Sequence, residues 1–285
     1  MSKVNVVLDA TMLDTMMLCP ARFNFRFNLN KVPFAKPKPL DQGGLVHLAL
    51  EHFYLGLKHQ KHFNDCVGDA IKALQVGWST DSDLDDQEFS RITEVMYEYF
   101  ERWKVDDKRF EILEVERPFS YILHEDDLIR IVMIGKIDLI VNEGSYKNLP
   151  YDHKTYSKDY PVRRKVNQFQ NYAYATQSNY LIVNKIGFQT SIKPEIKHKR
   201  IPISYDPLIL EQWKQNVIIW CHQYLEYMST GVWPMNDTSC DKFNRVCDYY
   251  EICDTSGIES KTFKLNMLKT DTPWDVTKSH GKKNE

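Results

Sequence analysis

The apolar run Gly135-Lys-Ile-Asp-Leu-Ile-Val141 carries an aspartate in its middle, and that aspartate, Asp138, constrains the fold more than any other residue. A segment this rich in Ile, Leu and Val reads as a buried β-strand, where an ionised carboxylate is costly unless something compensates it. A second strand-like segment, Tyr151-Asp-His-Lys-Thr155, follows the turn signal Asn142-Glu-Gly. Asp152 and Lys154 stand at i and i+2, so a strand points both to one face and His153 to the other. Two carboxylates on consecutive strands, with a lysine beside them, form a small site for a hard cation such as Mg²⁺ or Mn²⁺. A lysine there orients a water or neutralises charge on a phosphate, which is the chemistry of phosphodiester hydrolysis. The duller readings stand beside this one: Asp138 as a strand-end turn residue, and Asp152 with Lys154 as a structural ion pair.

Periodicity around these strands predicts a mixed α/β order. Helical spacing runs from Asp9 to about Phe27, through Met12, Met16, Cys19 and Phe23, with Pro20 interrupting it near Cys19. Lys31 to Pro39, with three prolines and three lysines, reads as an exposed connection. Helices are expected from Asp41 to about Lys58, at about 65–77 and at about 84–104, with an acidic cap and turn at Asp81-Ser-Asp-Leu-Asp-Asp. Phe110 to Leu123, Leu128 to Asn142 and Tyr146 to Thr155 read as a strand meander. A helix at about 163–180 follows, then strands near 181–191 and 196–204, then a long helix from about 207 to 229. Past Cys253 the polar chain reads as irregular, and its last ten residues as disordered. The expected architecture is a mixed central β-sheet flanked by helices, with the acidic residues on the central strands.

Three more groups of residues extend the candidate site. His47 lies in the helical stretch Gly43-Gly-Leu-Val-His-Leu-Ala-Leu-Glu51, and a neutral imidazole there completes a metal site or serves as an ordinary core histidine. Glu51, four residues on, shares that helix face and either holds the histidine's second nitrogen or is a surface glutamate. Gln168 and Tyr172, in Gln168-Phe-Gln-Asn-Tyr172, share one helix face, and the basic residues Lys158, Arg163, Arg164 and Lys165 precede them. Glu116 is in reach from the preceding strand, although a salt bridge with Arg117 or Lys136 is the simpler role for it.

Taken in order, His47, Asp138, Asp152-His153-Lys154 and Gln168-x-x-x-Tyr172 resemble the PD-(D/E)XK nuclease superfamily, in particular its RecB-like exonuclease branch, over roughly residues 43–180. The resemblance implies a restriction-endonuclease-like core. It implies metal ligation by His47, Asp138, Asp152 and the backbone carbonyl of His153, and catalysis by Asp138, Asp152 and Lys154. Gln168 and Tyr172 would then place DNA or the lysine, and Lys158, Arg163, Arg164 and Lys165 would contact the phosphate backbone.

The six cysteines divide in two. Cys66 and Cys221 sit among apolar residues of helical segments and read as core. Cys240-x6-Cys247-x5-Cys253, with Cys19 far upstream, reads as a metal or cluster site in a reducing compartment, with free buried thiols as the bland alternative. One N-terminal and three C-terminal cysteines are similar to the set that binds a [4Fe-4S] cluster in AddB-type relatives. The spacing departs from the C-x2-C-x5-C commonest there. Zn²⁺ is the chemical alternative at four thiolates.

At 285 residues and 42% hydrophobic, the chain can bury a substantial core, and a formal charge of −2 argues against a globally basic DNA binder without excluding a local groove. The expected organisation is one nuclease domain over 1–255, with its core at about 41–205 and cysteine segments at about 10–27 and 236–255, and then a tail over 256–285. No apolar run approaches a membrane span and the N-terminus lacks a secretory pattern, so a cytoplasmic location is expected, or a host cytoplasm for a phage-encoded protein. The expected activity is metal-dependent DNA hydrolysis, most simply exonucleolytic, in recombination, repair or replication. A non-catalytic DNA-binding or assembly module of the same fold and a CRISPR-adaptation nuclease are the rivals. No G-x-x-x-x-G-K-[ST] string is present, so unwinding falls to a partner: a helicase, a single-strand-binding protein or a recombination protein.

Overall fold

The computed structural model describes residues 3–34, 38–82, 84–242, 245–273 and 275–277. In chain order the elements are β1 (Val4–Leu8), α1 (Ala10–Leu18), α2 (Pro20–Phe23), β2 (Lys31–Val32), α3 (Lys38–Lys58), α4 (Phe63–Asp81), α5 (Asp86–Arg102) and α6 (Asp106–Arg109). There follow β3 (Phe110–Glu125), β4 (Ile129–Glu143), β5 (Tyr146–Tyr156), α7 (Asn167–Thr176), β6 (Tyr180–Gly187), α8 (Pro194–Lys197) and β7 (Lys199–Ser204). The chain closes with α9 (Pro207–Thr230), α10 (Tyr250–Cys253), α11 (Ile258–Asn266) and β8 (Lys269–Thr270). This is the expected mixed α/β fold, a central mixed sheet flanked by helices.

Two compact units divide the chain. A terminal unit holds Met1–Lys36, Ser120–Ile134 and Glu211–Asp275, and a central unit holds Pro37–Phe119, Gly135–Leu210 and Val276–Glu285. In the central unit β4 pairs antiparallel with β5, β5 parallel with β6, and β6 antiparallel with β7. One face of these strands, with Leu139, Val141, Tyr151 and Ile186, packs on α3, α4 and α5 through Leu50, Phe53, Tyr54, Leu74, Val95 and Phe100. The other face, with Ile140, Leu181, Val183 and Ile203, packs on α7 through Phe169, Tyr172 and Ala173. Strands covered on both faces explain why β4 reads as a near-continuous apolar run rather than an alternating one.

Local chemistry sets the ends of the elements. Asp85 caps α5 and closes a reciprocal box, accepting from Glu88 N at 2.9 Å while Glu88 Oε2 accepts from Asp85 N at 3.2 Å. Helix α7 is shorter than the expected helix over 163–180, spanning Asn167–Thr176 and stopping at Gln177 in the left-handed region. Its start is delayed because the preceding loop is tethered. Buried Lys185 grips Asp159 and donates to Tyr160 O at 2.6 Å, under the Tyr160 ring, and Lys199 reaches Asp159 at 3.0 Å.

In the terminal unit β1 pairs parallel with the start of β4, Val4↔Ile129 through Leu8↔Met133. Asp9 caps α1, and the chain breaks at Cys19 in extended conformation before Pro20 restarts it as α2. The two chain ends are clasped: Asn236 Nδ2 donates to Leu18 O at 2.8 Å, Ala21 N to Pro234 O at 3.0 Å, and Tyr249 Oη to Lys31 O at 2.6 Å. Strand β2, within the segment expected to be an exposed connection, pairs with β8. The expectation of irregular chain past Cys253 is corrected by α11, which starts at Gly257 with positive φ. Its polar composition hid it, because the helix buries none of its residues. Residues 278–285, expected to be disordered, lie outside the described residues. Among the described residues no helix is long and apolar enough to cross a membrane.

The central unit also buries His198 completely, edge-on to Tyr99 at 5.8 Å. Burial, and then the charges of Lys197 and Arg102, push its pKa down from 6.5 to about 4. The unfolded chain therefore takes up a proton below pH 6.5 that the folded chain refuses, so stability is full above that pH and is lost as the pH falls toward 4. The loss for this one group is on the order of 3 kcal/mol. Urea unfolding of His198→Asn and wild type between pH 7 and 4.5 checks it. The variant is expected to lose less stability on acidification, and identical pH slopes would refute the assignment.

Candidate active site

The site grows from the register of β4 and β5. Leu139 pairs with Tyr151, which makes Asp138 and Asp152 the next neighbours along the two strands. Strand alternation then does what the spacing implied. Lys154 turns to α7, where its Nζ donates to Gln168 Oε1 at 2.8 Å, while His153 turns to α3 and stacks on the Tyr54 ring at 5.8 Å. Asp152 is wholly buried, and its two oxygens lie 3.0 and 2.9 Å from Lys154 Nζ.

A chain of hydrogen bonds fixes the lysine from behind. Gln168 Nε2 donates to Tyr172 Oη at 2.8 Å, and Tyr172 Oη donates to Lys136 O at 2.5 Å. The i, i+4 spacing of Gln168 and Tyr172 on α7 permits the first link, and the backbone of β4 anchors the last. Tyr172 also packs edge-on against Phe119. A Cβ at position 135 would run into the Phe119 ring, which is why β4 has a glycine there.

Helix α3 brings His47 to the same place. His47 Nε2 lies 3.0 Å from His153 O, and Nδ1 lies 3.7 Å from Asp138 Oδ1. Asp138 Oδ2 in turn accepts from His153 N at 2.6 Å. Glu116 joins them: one ligand atom each of His47, Glu116 and Asp138 lies within 4.8 Å of the others. It also makes the salt bridge expected of it, 3.6 Å from Lys136 Nζ, so the dull and the functional roles coincide. Its backbone has φ +49, a left-handed kink in β3 that ordinary strand alternation does not anticipate.

The electrostatics are those of charge held out of water. Burial pushes the Asp152 carboxyl up to about 6, with Asp138 adding to the rise and Lys154 opposing it. For Lys154 burial works against the ammonium, but the Asp152 and Asp138 carboxylates outweigh it and its pKa rises. Burial holds the His153 imidazole neutral, well below its usual pKa. Burial, then Asp138 and Asp152, keep Tyr172 protonated and available as a donor.

Behind His153 runs a polar seam that sequence reasoning did not single out. His153 Nδ1 and Asn184 Nδ2 are 2.8 Å apart, and Asn184 Nδ2 lies 2.8 Å from Tyr99 Oη. Tyr99 Oη meets Tyr54 Oη at 2.8 Å, and Tyr54 Oη donates to Asp106 Oδ2 at 3.1 Å. Arg200 closes the seam with a two-pronged ion pair to buried Asp106, its guanidinium 3.7 Å from the centre of the Trp103 ring. One signal was available for Tyr54, which stands seven residues after His47 on α3, and another was a lone asparagine inside the apolar strand β6.

The remaining expected residues divide by place. Lys158, Arg163, Arg164 and Lys165 are exposed on the β5–α7 loop, where Arg164 O accepts from Tyr205 Oη at 2.8 Å. Cys19, Cys240, Cys247 and Cys253 belong to the terminal unit. Burial raises the Cys253 thiol to about 11, with the charges of Cys19, Cys247 and Cys240 adding to it. Cys240 is raised by burial and then by Cys247 and Cys19. The four sulfurs are therefore near enough to feel one another. Cys66 and Cys221 are buried, as expected of core residues.

No curated protein sequence matches the chain significantly. Among solved structures, a candidate exonuclease from Eubacterium rectale aligns with a TM-score of 0.52 at 13% identity, over 88% of this chain and 94% of its own, a likeness of fold. LHK-Exo, crystallised in complex with dAMP, aligns with a TM-score of 0.32 at 10% identity, over 66% of this chain and 95% of its own. A model of the PD-(D/E)XK nuclease superfamily matches residues 8–254, and the chain belongs to that superfamily.

Proposed function

We propose that this protein is a Mg²⁺- or Mn²⁺-dependent deoxyribonuclease of the RecB-like branch, working as an exonuclease in DNA recombination, repair or replication. The observation that carries the reading is the unbroken chain from Asp152 through Lys154, Gln168 and Tyr172 to the backbone of β4, beside His47 and Asp138. A binding scaffold has no use for a half-buried lysine held so firmly next to two carboxylates.

The donor set suits a hard divalent cation. Asp152 is wholly buried with Lys154 as its ion-pair partner, and burial, with Asp138 adding to it, still pushes its carboxyl up to about 6. His47, Asp138, Asp152 and the His153 carbonyl would hold the ion, with Glu116 added to the set named from sequence. Such an ion supplies Lewis-acid polarisation of the phosphoryl oxygens and offsets charge on the leaving 3′ oxygen.

The protein's own residues do the rest. Lys154, kept as an ammonium by Asp152 and Asp138, orients the attacking water and faces the charge that builds on the phosphoryl group. Water forms the new P–O bond, the P–O3′ bond breaks, and the departing oxygen takes a proton. Gln168 and Tyr172 hold the lysine in its working rotamer. Lys158, Arg163, Arg164 and Lys165 would line the passage of the phosphate backbone.

Lys154→Ala and Asp138→Ala are expected to lower Mg²⁺-dependent DNA hydrolysis by roughly a hundredfold to a thousandfold, the scale of removing one transition-state contact. Undiminished rates in both variants would sink the assignment and leave a non-catalytic DNA-binding module. Linear and covalently closed circular DNA separate the mode: an exonuclease degrades the first and spares the second, and equal cleavage of both would make the protein an endonuclease.

For the terminal unit we propose a [4Fe-4S] cluster on Cys19, Cys240, Cys247 and Cys253. Support comes from the mutual proximity of the thiols and from the hydrogen bonds that clasp Leu18 and Ala21 to Asn236 and Pro234 beside them. Anaerobically purified protein is expected to be brown and to contain iron and sulfide, both lost in Cys253→Ala. A colourless preparation holding zinc would replace the cluster with a Zn²⁺ site.

A further inference from the structure

The nuclease reading leaves unused a second set of metal-ligating side chains, in the terminal unit and unrelated to the cysteines. His124 ends β3, Asp126 follows it in the turn to β4, and His222 comes from α9, far along the chain. Their ligand atoms converge: His124 Nε2 lies 2.9 Å and His222 Nε2 lies 3.7 Å from Asp126 Oδ2, and one atom of each falls within 4.8 Å of the others.

We infer that His124, Asp126 and His222 form a binding site for a divalent transition-metal ion, zinc foremost. The donor set selects the ion. Two imidazoles and one carboxylate are borderline ligands that suit Zn²⁺, whereas Mg²⁺ and Ca²⁺ favour oxygen throughout. Ligands bound at about 2.0–2.2 Å to one tetrahedral ion stand a little over ~3 Å apart, so the observed spacings need only small side-chain shifts. The three residues are 27%, 36% and 41% exposed, in the order His124, Asp126, His222, which leaves a water in the remaining position.

The turn is built to present the carboxylate. Asp126 Oδ1 accepts from Leu128 N at 2.8 Å and Ile129 N at 2.9 Å, and Asp126 N donates to Ile129 O at 2.9 Å. With Oδ1 committed to the backbone, Oδ2 is aimed at the two imidazoles. The neighbouring cations are occupied: Glu125 takes Lys3 at 2.8 Å and Arg130 at 3.7 Å. Asp126 stays ionised, its carboxyl held far below the usual range by His124 and by the two backbone N–H groups. Without metal His124 Nε2 and Asp126 Oδ2 lie within hydrogen-bond distance of each other. The ion takes the place between them, with the imidazole hydrogen on Nδ1. The consequence is a staple from the β3–β4 turn to α9.

Isothermal titration of the full-length protein with zinc sulfate, alongside His222→Ala and His124→Asn, tests the site. Zinc taken up by the cysteines or at the nuclease centre is common to all three proteins and cancels in the difference. Wild type is expected to bind one more equivalent than either variant, or to bind it on the order of a hundredfold more tightly. Its melting temperature should rise further with zinc than theirs. Without added zinc all three should melt alike and hydrolyse DNA alike. Should truncation disturb folding, His222→Cys keeps a ligand in place, and with Co²⁺ it is expected to add a thiolate charge-transfer band beyond the wild-type spectrum. Equal zinc stoichiometry and affinity in all three proteins, or no added cobalt band, would overturn the proposal and leave a hydrogen-bonded surface cluster.

Discussion

The buried carboxylate of Asp152 is the constraint on which the central unit depends. It lies wholly out of water on the middle strand of a sheet covered on both faces, and burial, against the opposing charge of Lys154, pushes its pKa up to about 6. An ion this poorly solvated must be met by charge from within the protein. Lys154 supplies it from the same strand and the same face, and the lysine needs its own support in turn. Gln168, Tyr172 and the carbonyl of Lys136 provide that support in sequence. The glycine at position 135 leaves room for the ring of Phe119, which packs edge-on against Tyr172.

The opposite face of β5 solves a different problem. His153 offers its backbone to the site, N–H to Asp138 and carbonyl toward His47, so its position matters although its side chain points away. That side chain is locked by Tyr54, Asn184 and Tyr99, and through them to the Asp106–Arg200 ion pair. A buried pair of this kind adds little net stability over an apolar core, yet removing one partner is costly, so it specifies geometry more than it strengthens the fold. Each strand residue of Asp152-His153-Lys154 is thus held from a different direction.

Much of this was legible in the sequence wherever a short-range rule applied. The i, i+2 placement of Asp152 and Lys154, the i, i+4 placement of Gln168 and Tyr172, and the meander of β3 to β5 all follow from strand and helix periods. What escaped is what depends on register between distant segments. Asn184, Asp106 and Arg200 acquire their roles only when β6 and β7 are set against α3, α5 and α6. The basic run at 163–165 has helical composition, but the loop tethered at Asp159 keeps it out of α7. For Glu116 the sequence leaves both reach to the site and a simpler salt bridge open, because no periodic pattern anticipates a left-handed residue within a strand. That kink coincides with a carboxylate standing at the candidate metal site as well as beside Lys136.

The charge balance explains why two lysines accompany the acids. Asp138 and Glu116 converge with His47, Asp152 stands beside Asp138 on the neighbouring strand, and Lys154 and Lys136 each sit against one of the carboxylates. In the absence of an ion the two ammonium groups keep three acids tolerable at close range in a poorly hydrated place. They do not saturate the site, because burial still lifts Asp152 to about 6. A divalent cation would relieve that residual deficit, and binding would draw on electrostatic energy already stored in the fold. The same logic fixes the part Lys154 can play. Bound to Asp152 and raised above the ordinary lysine pKa by the Asp152 and Asp138 carboxylates, it is an ammonium placed to orient a water and to oppose negative charge.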